Sequence, residues 1–333
     1  MIAGAIPLAE IWRGPIAESV HLGHAVIARD DGTLEDAFGA PETMVLPRSS
    51  AKMIQALPLV ASGAADAAGL SSRHLALACA SHEGAPLHVE AVGDWLEARR
   101  LSEADLRCGA QPPRDRALKH EMIRAGGTPD QRHNNCSGKH AGFLTLMQHL
   151  GAGAEYHEAD HPVQVAAREA FETVTDRTSP FYGIDGCSAP NFATTVAAMG
   201  RAMAWFATAH GRSDPLSLAA ARLVQAMIAH PMEVAGEGRA CTLLMRAATE
   251  PVALKTGAEG FFIAILPERG LGVALKAADG ATRAAECAVA ALLVRLGALD
   301  SRHPDVVRFL NPEIRNFRGV VTGQIRPADN IFA

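Results

Sequence analysis

Pro47-Arg48-Ser49-Ser50-Ala51-Lys52-Met53-Ile54 combines a hydroxyl nucleophile, an amine three residues later and the start of an apolar helical pattern. Met53, Ile54, Leu57, Val60 and Ala61 continue with i, i+3, i+4 spacing, interrupted at Pro58 and stopped by Gly63. The pattern predicts a helix that begins at or beside Ser49. Residues three apart on a helix share a face, with Cβ atoms about 5–6 Å apart, so the Lys52 amine reaches the Ser49 hydroxyl. A serine hydroxyl is a weak nucleophile at neutral pH, and a lysine held partly out of water can lose its proton and act as its base. The helix N-terminus adds backbone N–H donors for a developing oxyanion. Standing alone, the same tetrad is also ordinary capping with a lysine one turn on. Ser50 can be the cap with Ser49 the nucleophile, or the reverse; only Ser49 has the x-x-Lys spacing.

The 333 residues have room for one large domain or two of ordinary size, and 48 % hydrophobic content is ample for a packed core. A formal charge of -5, spread without long like-charge runs, argues against nucleic acid as a partner, which would want a basic face. The longest apolar runs are short or broken by charge and glycine, so no segment reads as membrane-spanning. The first twelve residues carry no basic n-region and include Glu10, so no signal peptide is read there. Six scattered cysteines without an export signal argue against a disulfide framework and point to the cytoplasm.

Moving outward, residues 21–29 read as a strand, and Asp30-Asp31-Gly32-Thr33 is a turn into a second strand at 34–38. Residues 74–84 form an apolar run that breaks into Ser81-His82-Glu83-Gly84; if the run is extended, Cys79 and Ser81 share a face. Ser81 then stands where an element meets a loop, a common address for catalytic side chains. Helical patterns occupy 88–100, 115–125, 141–150, 162–175, 193–209 and 215–230. Between them lie two segments expected to be loops, 131–140 and the Gly- and Pro-rich 182–191. Residues 260–266 and 271–276 form a late hairpin, and 281–296 a helix. Strands at both chain ends with helices between predict an α+β class: a largely antiparallel sheet flanked by helices, with a helical part in the middle of one domain over 1–333.

Lys255-Thr256-Gly257 stands just ahead of the late hairpin. With Ser49-x-x-Lys52 and the loop serine Ser81 it gives the order Ser-x-x-Lys, Ser-loop, Lys-Thr-Gly known from serine β-lactamases and penicillin-binding proteins, although their middle Ser-Asp-Asn is replaced here by Ser81-His82-Glu83. Two serines and two lysines suffice for acyl transfer. One pair activates the nucleophile, and the other can protonate a leaving amine and shape the pocket. An amide is the natural substrate class.

Pro-Arg-Ser-x-x-Lys, Ala-Ser-His-Glu, Asn134-Asn135-Cys136-Ser137-Gly138-Lys139-His140, Asp185-Gly186-Cys187 and Lys255-x-Gly-Ala-Glu-Gly together resemble the Rhizobium-type L-asparaginase family. The resemblance implies a fold like that of serine β-lactamases and glutaminases, and hydrolysis of L-asparagine to L-aspartate and ammonia. It implies two Ser–Lys pairs, Ser49 with Lys52 and Ser81 with Lys255, with Ser49 favoured as nucleophile on the helix-terminus argument. It also implies a homodimer and a zinc ion held by Cys136, Lys139 and Cys187. A thiolate and a neutral amine one turn apart, closed by a distant second thiolate, would leave one zinc position open. The lysine must be deprotonated to ligate, so binding would depend on pH.

On the residues alone, the cysteines read as buried filler, and Cys79, Cys108, Cys241 and Cys287 keep that reading. His133 and His140 are spare partners for the ligands or plain loop histidines. Asp185 is read as orienting a ligand or the substrate. Arg48 is either a bidentate partner for the substrate α-carboxylate or a surface arginine, and Glu83 either receives the α-ammonium or caps the next helix. Glutamine or a β-lactam-like acyl donor is the competing substrate reading, and a non-enzymatic amino-acid or metal sensor the competing class.

Overall fold

The computed structural model describes residues 2–332; the expected domain limits Met1 and Ala333 lie outside them. In chain order the strands are β1 (Ile6–Arg13), β2 (Ile16–Arg29), β3 (Leu34–Phe38), β4 (Met44–Val45), β5 (Tyr182–Ile184), β6 (Pro190–Phe192), β7 (Thr194–Thr195), β8 (Ala253–Thr256), β9 (Phe261–Leu266), β10 (Leu271–Ala277), β11 (Glu313–Arg315) and β12 (Val321–Pro327). The chain divides into two compact units. The first comprises Met1–Ser50, Thr194–Thr208 and Gly238–Ala333, and the second Ala51–Ala193 and Ala209–Glu237.

The first unit is built on an eight-stranded antiparallel sheet in the order β11-β12-β1-β2-β10-β9-β8, with β3 also paired to β2. Strands from both chain ends therefore lie side by side: β1 pairs β12 with Ala9 opposite Pro327, and β2 pairs β10 with Lys276 opposite His24. Every residue of β9 and β10 is buried, which is why Phe261-Phe262-Ile263-Ala264-Ile265-Leu266 is continuously apolar rather than alternating. Helix Val196–Ala207 packs on β2 and β10, and helix Thr282–Arg295 joins Ala9, Ile11, Ala277 and Ile325 in a buried cluster through Ala284 and Cys287. The class is α+β, with the antiparallel sheet drawn from both chain ends.

The second unit is helical apart from the two-stranded β5–β6 sheet. Its helices start where the sequence provides caps. Asp115 accepts the Leu118 N–H ahead of helix Arg116–Arg124, Asp214 accepts that of Ser217 ahead of Pro215–Ala229, and Pro86, Pro162 and Pro215 occupy first turns. Among the described residues no helix is long and apolar enough to cross a membrane.

Three local expectations change. The run 74–84 is not extended: helix Ser72–Ala78 covers its first part, started by Ser71, whose backbone N–H donates to His74 Nδ1 at 3.1 Å. An unbroken apolar run has no period of its own, and the cap decides it. Residues 182–191 are not irregular, because Tyr182–Ile184 and Pro190–Phe192 pair as a small hairpin. Residues 131–140 are not all loop either: a 3-10 turn spans Gln131–His133, and a helix runs from Ser137 to Leu150. That helix opens Ser137-Gly138, a weak start by propensity.

Candidate active site

In the first unit the chain enters the opening stretch through Pro47. Arg48 adopts φ 53°, the left-handed region that a side chain enters only where its surroundings hold it. A 3-10 turn then spans Arg48–Ala51, and helix Lys52–Gln55 follows. Ser49 is half-buried, whereas Ser50 is buried and its Oγ donates to the Lys255 carbonyl at 3.1 Å. Gly257 lies so close that an added Cβ would stand 2.6 Å from the Pro47 carbonyl and 2.8 Å from Ser50 Oγ. The Lys-Thr-Gly strand is thus pressed on the Ser49-Ser50 turn. Lys255 is fully buried, and its Nζ donates to the Thr256 carbonyl at 2.7 Å.

In the second unit, helix Ser72–Ala78 ends beside the Ser81 loop. The Ser81 N–H is fixed by the Val234 carbonyl at 2.9 Å. Lys52, three residues beyond Ser49, is 1 % exposed and reaches this loop. Its Nζ lies 3.0 Å from Ser81 Oγ, donates to the Asn135 carbonyl at 3.4 Å and also donates to the Ala80 carbonyl. Burial lowers the Lys52 pKa, and Cys136 partly opposes this. A neutral amine has two N–H groups and one lone pair. The three contacts, to the Ala80 and Asn135 carbonyls and to Ser81 Oγ, match the three N–H donors of an ammonium, and once a proton is lost the lone pair can accept from the Ser81 O–H. Local spacing had tied Lys52 to Ser49; the fold brings the same amine against Ser81.

Cys136, Lys139 and Cys187 converge in the same unit. All three are buried, and Lys139 Nζ lies 3.1 Å from Cys187 Sγ. The neighbouring Cys136 thiol holds Cys187 well below its usual range and Cys187 in turn raises Cys136, whose Sγ–H donates to Asn135 Oδ1 at 3.1 Å. Burial pulls the Lys139 ammonium down, but Cys187 and Cys136 outweigh this and the net direction is up. Asn134 positions the cluster: its Oδ1 accepts the Cys136 N–H at 2.9 Å, and its Nδ2 donates to the Cys108 and Gly109 carbonyls at 2.8 and 2.9 Å. Cys187 sits in a tight turn closed by Asp185 N–H to the Ala189 carbonyl at 3.0 Å. Among the described residues no three His, Cys, Asp or Glu side chains are grouped to hold a metal; a metal on Cys136 and Cys187 would need the Lys139 amine as a third donor. Thiolate sulfurs are zinc ligands, and the Lys139 amine would join them only once deprotonated.

The remaining candidates fall as follows. Glu83 is buried, and its Oε1 accepts the Glu237 N–H at 2.9 Å. Asp185 is half-buried and its charge acts on Lys139. His133 turns to Asp130 at 2.9 Å and His140 to the Tyr156 hydroxyl at 2.8 Å. Gln111, which the sequence did not single out, accepts Asn135 Nδ2 at 2.7 Å. No local signal marks it, because the contact is made across 24 residues.

Two further histidines support the Ser81 loop. His82 and His88 stack with ring centroids 4.7 Å apart and planes at 9°. Burial drives His82 well below the ordinary 6.5, reinforced by His88, Lys52, Arg114 and His133; burial also lowers His88, which faces the Met232 carbonyl and Glu233. Below 6.5 the unfolded chain binds protons that these rings refuse in the fold, so stability falls as pH falls from there toward the folded values. The urea midpoint is expected to drop between about pH 7.5 and about pH 5.5. The drop should be smaller in His88→Gln, which keeps a donor for the Met232 carbonyl but does not titrate. An unchanged pH slope in that variant would contradict this account.

The chain belongs to the L-asparaginase II family, a family of amidohydrolases, which it matches over residues 9–327. No curated protein matches the sequence. Among solved structures it is similar to Mglu in its tris and glutamate form, with 14 % identity and a TM-score of 0.45 over 84 % of this chain and 60 % of that one. A second Mglu structure gives 15 % and 0.45 over 84 % and 69 %. A beta-lactamase from Mycobacterium bovis gives 13 % and 0.34 over 79 % and 89 %. The chain thus spans 60 % of the length of the first of these.

Proposed function

We propose that this protein is an L-asparaginase that hydrolyses the side-chain amide of L-asparagine to L-aspartate and ammonia. The observation that carries the reading is the buried Lys52 amine 3.0 Å from Ser81 Oγ, inside a chain of the asparaginase family. Ser81 attacks the amide carbonyl while its proton passes to Lys52, and the tetrahedral adduct collapses as the C–N bond breaks and Lys52 returns the proton to the leaving nitrogen. Water then attacks the resulting ester, gives its proton to Lys52, and aspartate leaves as Ser81 is reprotonated.

Lys255, which the family resemblance pairs with Ser81, is kept as a supporting amine, and Ser49 as the alternative nucleophile. Arg48 is assigned to the substrate α-carboxylate, Glu83 to its α-ammonium, and Asp185 to orienting substrate or ligand. Cys136, Lys139 and Cys187 are assigned to zinc, which when bound supplies a Lewis acid beside the pocket. The family resemblance extends the proposal to a cytoplasmic homodimer.

The deciding experiment is ammonia release from L-asparagine, L-glutamine and a chromogenic β-lactam, with and without chelator and added zinc. Release from asparagine alone, lowered by chelator and by Cys187→Ser, supports the whole reading. Preference for glutamine replaces the substrate, and binding without release points to a sensor. Ser81→Ala and Ser49→Ala, assayed together, assign the nucleophile: the variant that forms no acyl adduct by mass spectrometry has lost it.

A further inference from the structure

His82 is fully buried between Ser81 and Glu83, and its hydrogen bonds leave one tautomer. The Gly84 N–H donates to Nδ1 at 3.1 Å, so Nδ1 is bare and the ring proton sits on Nε2. Nε2 lies 2.9 Å from Ser137 Oγ, and the Ser137 hydroxyl donates onward to the Arg132 carbonyl at 2.8 Å. The relay has one direction, from imidazole to hydroxyl to carbonyl. The His82 backbone N–H donates to the Asn135 carbonyl at 3.2 Å, the same carbonyl that accepts from Lys52 Nζ. Ser137 follows Cys136 and stands two residues before Lys139. One residue therefore fastens the Ser81 loop, by main chain and side chain, to the turn that carries two of the three cluster donors. The His88 ring stacks against one face of this imidazole.

We infer that His82 is a positioning residue for amide hydrolysis, and that its Nε2–H, donated to Ser137, sets the spacing between the Lys52–Ser81 pair and the Cys136–Lys139–Cys187 cluster. This rests on the hydrolase reading. Its role is indirect: it moves no proton of the reaction but holds the groups that do. Misplacing a reacting group by about 1 Å can reduce rate about 100-fold, so a lost clamp should appear in turnover more than in substrate affinity.

Three variants test it. His82→Gln keeps a donor nitrogen where Nε2 was, His82→Asn places its amide where Nδ1 was and leaves Ser137 without that donor, and Ser137→Ala removes the receiving oxygen. His82→Asn and Ser137→Ala are each expected to lower kcat about 10- to 100-fold, with KM changed less than about threefold. His82→Gln should recover most of the loss. The double variant His82→Asn/Ser137→Ala should be no worse than the poorer single one, since both remove the same bond. Zinc titration of the same proteins should rank them identically. Wild-type kcat and zinc affinity in Ser137→Ala, or additive losses in the double variant, would overturn the inference. Ser137→Ala deletes one atom and keeps the test decisive if His82→Asn does not fold. A wild-type protein that releases no ammonia counts against the hydrolase reading itself, whereas an active wild type without this ranking counts against His82 alone.

Discussion

Lys52→Met should lower kcat for amide hydrolysis by about 10²- to 10⁴-fold, the usual contribution of a positioned base, while leaving the protein folded. The methionine side chain nearly matches lysine in length and fits a position that is 1 % exposed. It removes an amine whose burial is unfavourable when charged. Against that gain, the Ala80 carbonyl loses a donor, at about 1–3 kcal/mol for a buried group left unpaired, whereas the Asn135 carbonyl keeps the His82 N–H. These effects oppose one another, so the unfolding midpoint should move little. Catalysis has no such offset, because the group 3.0 Å from Ser81 Oγ is gone. Ammonia release together with a urea curve separates the two. Near-wild-type turnover in a folded Lys52→Met protein would remove Lys52 from the mechanism.

Gly138→Ala should be the most damaging single-methyl change in the second unit. A Cβ at Gly138 would stand 2.3 Å from the Leu77 carbonyl oxygen and 2.6 Å from Leu77 Cγ. Part of what it meets is main chain at the end of helix Ser72–Ala78, which cannot rotate away. The two helices would have to part just where one leads to Ser81 and the other carries Lys139. Overpacking of this kind costs about 1–3 kcal/mol and sometimes more, and here the strain falls on the site. Gly142 supplies the control one turn on, since its added Cβ would meet only side-chain atoms, the nearest Leu59 Cδ2 at 3.2 Å. Gly142→Ala should therefore fold and turn over close to wild type. Equal unfolding midpoints for the two alanine variants would refute the argument.

The parts of the fold that were legible in the sequence carry local signals. Asp30-Asp31-Gly32-Thr33 fixed the β2–β3 turn, and the β9–β10 hairpin declared itself by an apolar run broken at Pro267-Glu268-Arg269-Gly270. Helix Pro162–Thr175 was framed by proline at its start. β1, β11 and β12 were not read: β1 contains Pro7 and Glu10, and β12 is mostly half-exposed, so neither has a clean alternation. Their pairing is specified only by each other, across the length of the chain. The site divides in the same way. Lys52 and Ser81 were each picked out by type and position, but their contact spans 29 residues and no spacing rule contains it. The meeting of Lys139 with Cys187 spans 48 and came from family likeness, not from pattern. His82 was quoted only as a neighbour of Ser81, since its partner Ser137 lies 55 residues on.

The pairing of β1 with β12 sets a timetable for biosynthesis. Ala9 faces Pro327, so one hydrogen-bonding edge of an early strand has no native partner until the residues of β12 have emerged. At about 5–20 residues per second that interval is roughly 15–60 s on the ribosome. During it β1 and β2 can pair as a hairpin, but an open strand edge invites pairing with another nascent chain. A chaperone that shields this edge during translation should raise the soluble yield, and raise it most when expression is fast.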